Sequence, residues 1–118
     1  MAPATVVLGR GRGTLIMVHS MAERIIIYWR DIPAQIVVRK GRVAEKRELP
    51  ERFIKAIDRC AMSVGAKESD AYLAEWRRGS PQACDDDLAS VASATFAEIC
   101  ALFDDERLKA LVATGGWE

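Results

Sequence analysis

The chain has 118 residues, half of them apolar, with 17 basic and 17 acidic side chains. That length suits one compact core and is short for two ordinary domains, and zero net charge excludes a global field drawing the molecule to nucleic acid or to a membrane surface. No apolar run approaches the ~20 residues of a membrane span, and the three cysteines, Cys60, Cys84 and Cys100, form no C-x-x-C pair, which argues against a disulfide framework and for a reducing cytoplasm.

Residues 1–22 read as a flexible basic leader. Gly9, Gly11 and Gly13 alternate with Arg10 and Arg12, and no acidic residue precedes Glu23. Met17 and Met21 are alternative starts, so the segment reads as an upstream extension, with an arginine-rich transit peptide as the other reading. Gly9 to Thr14 lacks both the Lys-Ser/Thr ending of a phosphate loop and the glycine spacing of a dinucleotide fold. The folded domain is expected over 23–118.

Ile25, Ile26, Ile27, Tyr28 and Trp29 are β-branched or aromatic and predict a strand. Pro33, which has no N–H for a ladder and holds Ile32 extended, marks a break before a second strand, Gln35 to Lys40. The short connection predicts an antiparallel hairpin, with Gly41 ending its second arm. Alternation puts Ile25, Ile27 and Trp29 on one face and Ile26, Tyr28 and Arg30 on the other. Residues 42–50 read as a charged connector.

Pro50 and Glu51 suit the start of a helix. Phe53, Ile54, Ile57, Cys60, Ala61 and Val64 then recur at helical spacing as one buried stripe, with Gly65 as the stop. Ala71 to Arg77 reads as a third strand, Tyr72, Ala74 and Trp76 lying on one side. Asp85, Asp86 and Asp87 announce a helix whose stripe is Leu88, Val91, Ala92, Thr95, Ile99 and Leu102, widened by Phe96 and Phe103. Asp104 caps a further short helix, Asp105 to Ala113, stopped by Gly115 and Gly116, with Trp117 folding back onto a neighbour. The expected fold is an α+β two-layer sandwich of order β-β-α-β-α, with one more short helix, its small and mainly antiparallel sheet carrying helices on one face and leaving the other toward solvent.

Charge is uneven along the chain: residues 1–60 carry a net +6 and residues 61–118 a net −6. Either the halves lie side by side and neutralise, or they present a basic and an acidic face to different partners. The only histidine is His19, inside the leader, so the domain has no Ser-His-Asp or Cys-His device. The cysteine spacing offers no zinc site. The aspartate triplet reads as a helix cap, lacking the spaced oxygens of a calcium loop. No catalytic residue, metal or cofactor is therefore assigned.

The remaining candidates are arginines beside aromatic rings. Tyr28, Arg30, Arg39 and Arg77 are the binding anchors the sequence offers, as a protein-docking surface or a site for a small anionic ligand. The competing reading is that tryptophans fill the core and arginine stems cover its edge. Stacking of unpaired bases on an open sheet is disfavoured by the neutral charge and by the lack of an aromatic pair of the RNP kind.

The words "YWRDIPAQ" and "YLAEWRR", with "LPERFIKAIDRC" and the closing "DDERLKALVATGG", resemble the small bacterial proteins called the virulence factor family, over roughly residues 23–116. The resemblance implies no catalytic residue. Similar proteins are often encoded near methylenetetrahydrofolate reductase and corrinoid methyltransferase components, which implies an accessory role in one-carbon metabolism with a one-carbon enzyme as partner, or a folate-like ligand.

Overall fold

A computed structural model describes residues 21–66 and 68–118. The expected leader, apart from Met21 and Ala22, lies outside the described residues, and so do Gly9–Thr14 and His19. In chain order the elements are β1 (Ala22–Trp29), β2 (Ile32–Lys40), β3 (Val43–Glu48), α1 (Glu51–Ser63), α2 (Ser69–Ala74), β4 (Trp76–Arg78), β5 (Gln82–Cys84), α3 (Leu88–Leu102) and α4 (Asp105–Ala113). Among the described residues the sheet has five strands, antiparallel throughout, in the order β3-β2-β1-β4, with β5 also paired to β1. β4 lies along Ile27–Trp29 and β5 along Ala22–Arg24, so two short strands share one edge of β1 end to end. No helix among the described residues is long and apolar enough to cross a membrane.

The α+β class is as expected, but the order differs in three places. Residues 43–48, expected as a connector, form β3. Gly41, at φ 61°, turns the chain back, and the ladder then pairs every residue from Val43 to Glu48 with β2. Residues 71–77, expected as one strand, divide into the end of α2 and the start of β4. Tyr72 N–H donates to Glu68 O at 2.9 Å, a helical bond that strand alternation does not reveal. β5 is a third, unanticipated element.

α1 and both later helices stand where the sequence puts them. Phe53, Ile57, Cys60 and Ala61 of the α1 stripe are buried, while Ile54 and Val64 at its flanks are exposed. Gly65 adopts φ 75° just past its end, as a left-handed helix stop should. Asp87 accepts from Ser90 N–H at 3.2 Å and Asp104 from Arg107 N–H at 2.9 Å, which caps α3 and α4. Arg52 of α1 closes the other end of α3 by donating to Cys100 O and Phe103 O at 3.0 and 3.1 Å.

One core joins Trp29, Ile32, Ile36 and Val38 of the sheet to Phe53, Ile57 and Cys60 of α1, Ala92 and Ile99 of α3, and Leu108 and Leu111 of α4. Each such isoleucine or leucine contributes about 1.5–3 kcal/mol relative to exposure. The expected division of β1 is altered. Directly opposite residues share a sheet face, and Arg24 stands opposite Val38 and Ile26 opposite Ile36. Arg24 Nη1 reaches Thr95 Oγ1 of α3 at 3.2 Å, so α3 covers the Arg24/Ile26 face, not the Ile25/Ile27 face. Ile25 and Val37, opposite one another on the second face, are 1% and 7% exposed, so that face also buries apolar surface. Trp29 is core as expected. A one-residue register slip between Ile27 and Tyr28 bends the hairpin there, and Trp29 is fully buried opposite Ile32 and Trp76.

Among the described residues five ion pairs join the halves: Arg24–Glu98, Arg30–Glu75, Lys40–Asp86 and Arg52–Asp105 take their base from the first half, and Asp31–Arg77 runs the other way. Basic first half and acidic second half therefore lie side by side.

Candidate functional site

The turn between β1 and β2 gathers five of the eight aromatic residues, Tyr28, Trp29, Tyr72, Trp76 and Trp117, around Arg30 and Arg77. Trp29, Tyr72 and Trp76 form an aromatic cluster, Trp29 and Tyr72 tilted with centroids 5.8 Å apart and Tyr72 and Trp76 edge-to-face at 5.9 Å, and the Trp29 indole N–H donates to Tyr72 O at 2.9 Å. Trp29 is fully buried, Tyr72 and Trp76 half-buried, and the polar edge of Trp29 is satisfied by the end of α2.

Arg30 occupies the turn itself at φ 56°, the only non-glycine residue with positive φ among the described residues. That backbone costs about 1–3 kcal/mol and persists only where its surroundings hold it. Here they do. Its N–H donates to Glu75 O at 3.1 Å and its Nη1 to Gly115 O at 2.6 Å, and its Nη2 lies 3.4 Å from Glu75 Oε2. The guanidinium stands 5.2 Å from the ring centres of both Trp29 and Trp117. The side chain is 16% exposed, and its Nε is buried without a partner. The expected open-face position of Arg30 therefore does not hold. A left-handed turn residue leaves the strand alternation, and this one points into the junction of β1, α2 and the chain after α4.

Arg77 makes the opposite use of the same chemistry. Its position on β4 places it directly opposite Tyr28. Its guanidinium lies 4.4 Å from the Tyr28 ring centre, a stacked cation–π arrangement. Nε donates to Arg30 O at 3.0 Å and Nη2 to Asp31 Oδ1 at 2.9 Å, yet the side chain is 46% exposed. Asp31 is held in turn, its N–H donating to Gly116 O and its other carboxylate oxygen accepting from Glu118 N–H, both at 2.8 Å. Gly79 lets the neighbouring chain approach: a Cβ there would sit 3.0 Å from both Ile26 O and the Tyr28 ring.

Arg39 does not join this corner. It stands opposite Glu23, to which it is paired at 3.5 Å, and Glu23 is five residue steps along β1 from Tyr28, about 17 Å at the usual rise. The structure brings Tyr28, Arg30 and Arg77 together and leaves Arg39 at the far end of the hairpin. Two residues that sequence reasoning missed complete the corner, Glu75 and Asp31. Trp117, expected to fold back, covers Arg30 and keeps 47% of its surface exposed. Beside Tyr28, Arg24, Ile26, Gly79, Ser80 and Gln82 line a cavity of about 210 Å³. Arg24 was also missed, although its even spacing from Ile26 and Tyr28 on β1 was a usable signal.

Two of the thiols, Cys60 and Cys84, offer little reactivity. Burial pushes the Cys60 thiol up from its ordinary 9.0, with Arg30 pulling more weakly the other way. Cys84 is pushed up by burial too; Arg24 pulls it down, and Asp85, Asp86 and Glu23 raise it further. A raised thiol is a poor nucleophile near neutral pH. Among the described residues no three His, Cys, Asp or Glu side chains come together in a way that could hold a metal ion.

A family model described as "Virulence factor" matches residues 27–112. The matched span includes the whole β1–β2 turn, the cluster of Trp29, Tyr72 and Trp76, and Arg77. No curated protein matches the chain, and no solved structure matches it.

Proposed function

As the chain belongs to the virulence factor family, we propose that it is a non-catalytic accessory domain of the cytoplasm that docks on a partner protein, a one-carbon enzyme, through the corner built by Tyr28 and Arg77. One observation carries this reading. Arg77 is half exposed yet already fixed on the Tyr28 ring by Arg30 O and Asp31. Tyrosine and arginine dominate protein interfaces, and a side chain ordered before binding loses little entropy on contact. Arg30 acts from behind, as the brace that sets the turn. Arg39 contributes at most a separate peripheral contact.

The test is affinity purification from native cells, with mass spectrometry, of the wild type, Arg77→Ala and Tyr28→Ala. Wild type should carry methylenetetrahydrofolate reductase or a corrinoid methyltransferase component, and each variant should recover at least about tenfold less, as loss of an interface anchor implies. Equal recovery with both variants, or none with wild type, overturns the proposal.

A second reading is a small anionic ligand at the same arginine-aromatic face, favoured by the cavity that Arg24, Tyr28, Ser80 and Gln82 share. At about 210 Å³ it lies below the roughly 300–1,000 Å³ of sites for larger organic ligands, so inorganic phosphate fits the space better than a folate does. A rise in melting temperature with phosphate or a pterin, absent in Arg24→Ala, is the result expected of this reading.

A further inference from the structure

A roomier cavity than the one beside Tyr28 lies elsewhere, on the Ile25/Ile27 side of the sheet. It measures about 590 Å³, inside the range usual for small-molecule sites. Its floor follows a row of cross-strand neighbours, Ile27 of β1, Gln35 of β2 and Glu48 of β3. The chain leaving β3 and entering α1 supplies Leu49 and Ile54, and Trp76 of β4 supplies an indole. Ile54 is 40% exposed although it stands beside a largely buried helix stripe, so an apolar wall faces open space.

The polar lining has one sign. Glu48 and Glu51 are exposed and border the cavity, while no lysine or arginine is among its lining residues. Gln35 Nε2 lies 3.4 Å from Glu48 Oε2, leaving that carboxylate capacity to accept further bonds. The nearest cations in the fold do not line it: Lys55 stands 3.9 Å from Glu51 on α1, Arg78 continues the row on β4 directly opposite Ile27, and Lys46 lies two residues before Glu48 on β3.

From this juxtaposition of apolar walls, one indole and two carboxylates, we propose that the cavity is a binding site for a small aromatic amine. The ligand's ring packs against Trp76, Ile27 and Ile54, and its ammonium group is held by Glu48 and Glu51. The charge requirement is opposite to that of the Arg24/Tyr28 cavity and of the Arg77 docking corner, so this site stands or falls independently of both.

The whole chain, titrated by calorimetry with phenethylamine and with phenylacetate, tests the charge and the shape together. Phenethylamine should bind and shift the Trp76 indole N–H resonance, assigned by its loss in Trp76→Phe. Phenylacetate, with the same ring and the opposite charge, should bind about tenfold more weakly or not at all, since two partly screened ion pairs are worth about that factor. The Glu48→Gln, Glu51→Gln double variant changes only exposed groups; it should lose about tenfold for phenethylamine and nothing for phenylacetate. Ile54→Arg, also at an exposed position, should abolish the phenethylamine signal. Failure of phenethylamine to bind, equal binding of the two probes, or an indole shift at Trp29 or Trp117 in place of Trp76 overturns the proposal.

Discussion

Arg30 and Arg77 belong to the same corner, 47 residues apart in sequence and joined by one hydrogen bond. Each lies against aromatic rings. Arg30 is enclosed between two indoles in a left-handed turn, and Arg77 lies over one phenol on the outside of a strand. The pairing of residue types is therefore no guide to role. Backbone conformation and exposure decide it, one arginine closing the interior and the other presenting a surface.

The contrast breaks most visibly at Arg30. Arg30→Ala removes a charged hydrogen bond and two cation–π contacts while leaving alanine in the left-handed turn, so urea unfolding should show a loss of about 3 kcal/mol. Arg30→Gly removes the same contacts but relieves the backbone, and should be about 1 kcal/mol less damaging than alanine. Equal losses for the two would mean the turn strain is not real.

Gly116→Ala attacks the same enclosure from the opposite side. Gly116 has φ 89°, and a Cβ there would lie 3.1–3.2 Å from Arg30 Cδ, Arg30 Cβ and Cys60 Sγ. About 2 kcal/mol should be lost, from crowding and strain together. An unchanged urea midpoint would show that the Arg30 pocket is loose.

Alkali offers a milder probe. Burial raises Cys60 and, with Asp58 adding to it, Tyr72 above their ordinary 9.0 and 10.0. The unfolded chain releases these protons first, so stability is intact below pH 9.0 and falls as pH climbs through 9.0 and 10.0 toward the raised folded values. Cys60→Ser should flatten the lower part of that decline. A stability profile level from pH 9.0 up to pH 10.0 in the wild type would contradict the burial of Cys60.

The smallest effect on stability should come from Arg77→Ala, within about 1 kcal/mol, because an exposed arginine contributes little to the fold. Its consequence should be confined to partner recovery. A loss as large as that of Arg30→Ala would erase the distinction between the two arginines.

Much of the frame was legible in the residues. The α1 stripe, the caps at Asp87 and Asp104 and the hairpin announce themselves because apolar spacing and capping chemistry are local. β3 was hidden because Val43-Ala44-Glu45-Lys46-Arg47-Glu48 buries little; backbone pairing to β2 alone makes it a strand. α2 is six residues long, too short for period two and period 3.6 to be told apart when Tyr72 and Trp76 both point inward. At the site, Tyr28 and Arg77 were legible as neighbours of aromatic runs. The inward turn of Arg30 was not, because an arginine with positive φ carries no sequence mark. The cavity beside Trp76 needed β3 to be placed before Glu48 could be seen in one row with Gln35 and Ile27.

The end-to-end arrangement of β4 and β5 on β1 has a consequence for how copies of this protein behave toward one another. A long, flat sheet margin is a template for strand addition and fibril growth. Here that margin is cut into two three-residue pieces around Gly79, Ser80 and Pro81, and proline has no N–H to offer an incoming strand. The opposite margin carries Glu45, Lys46, Arg47 and Glu48 in a row, charges that an added strand would have to match. The sheet thus ends on both sides in ways that discourage its own extension.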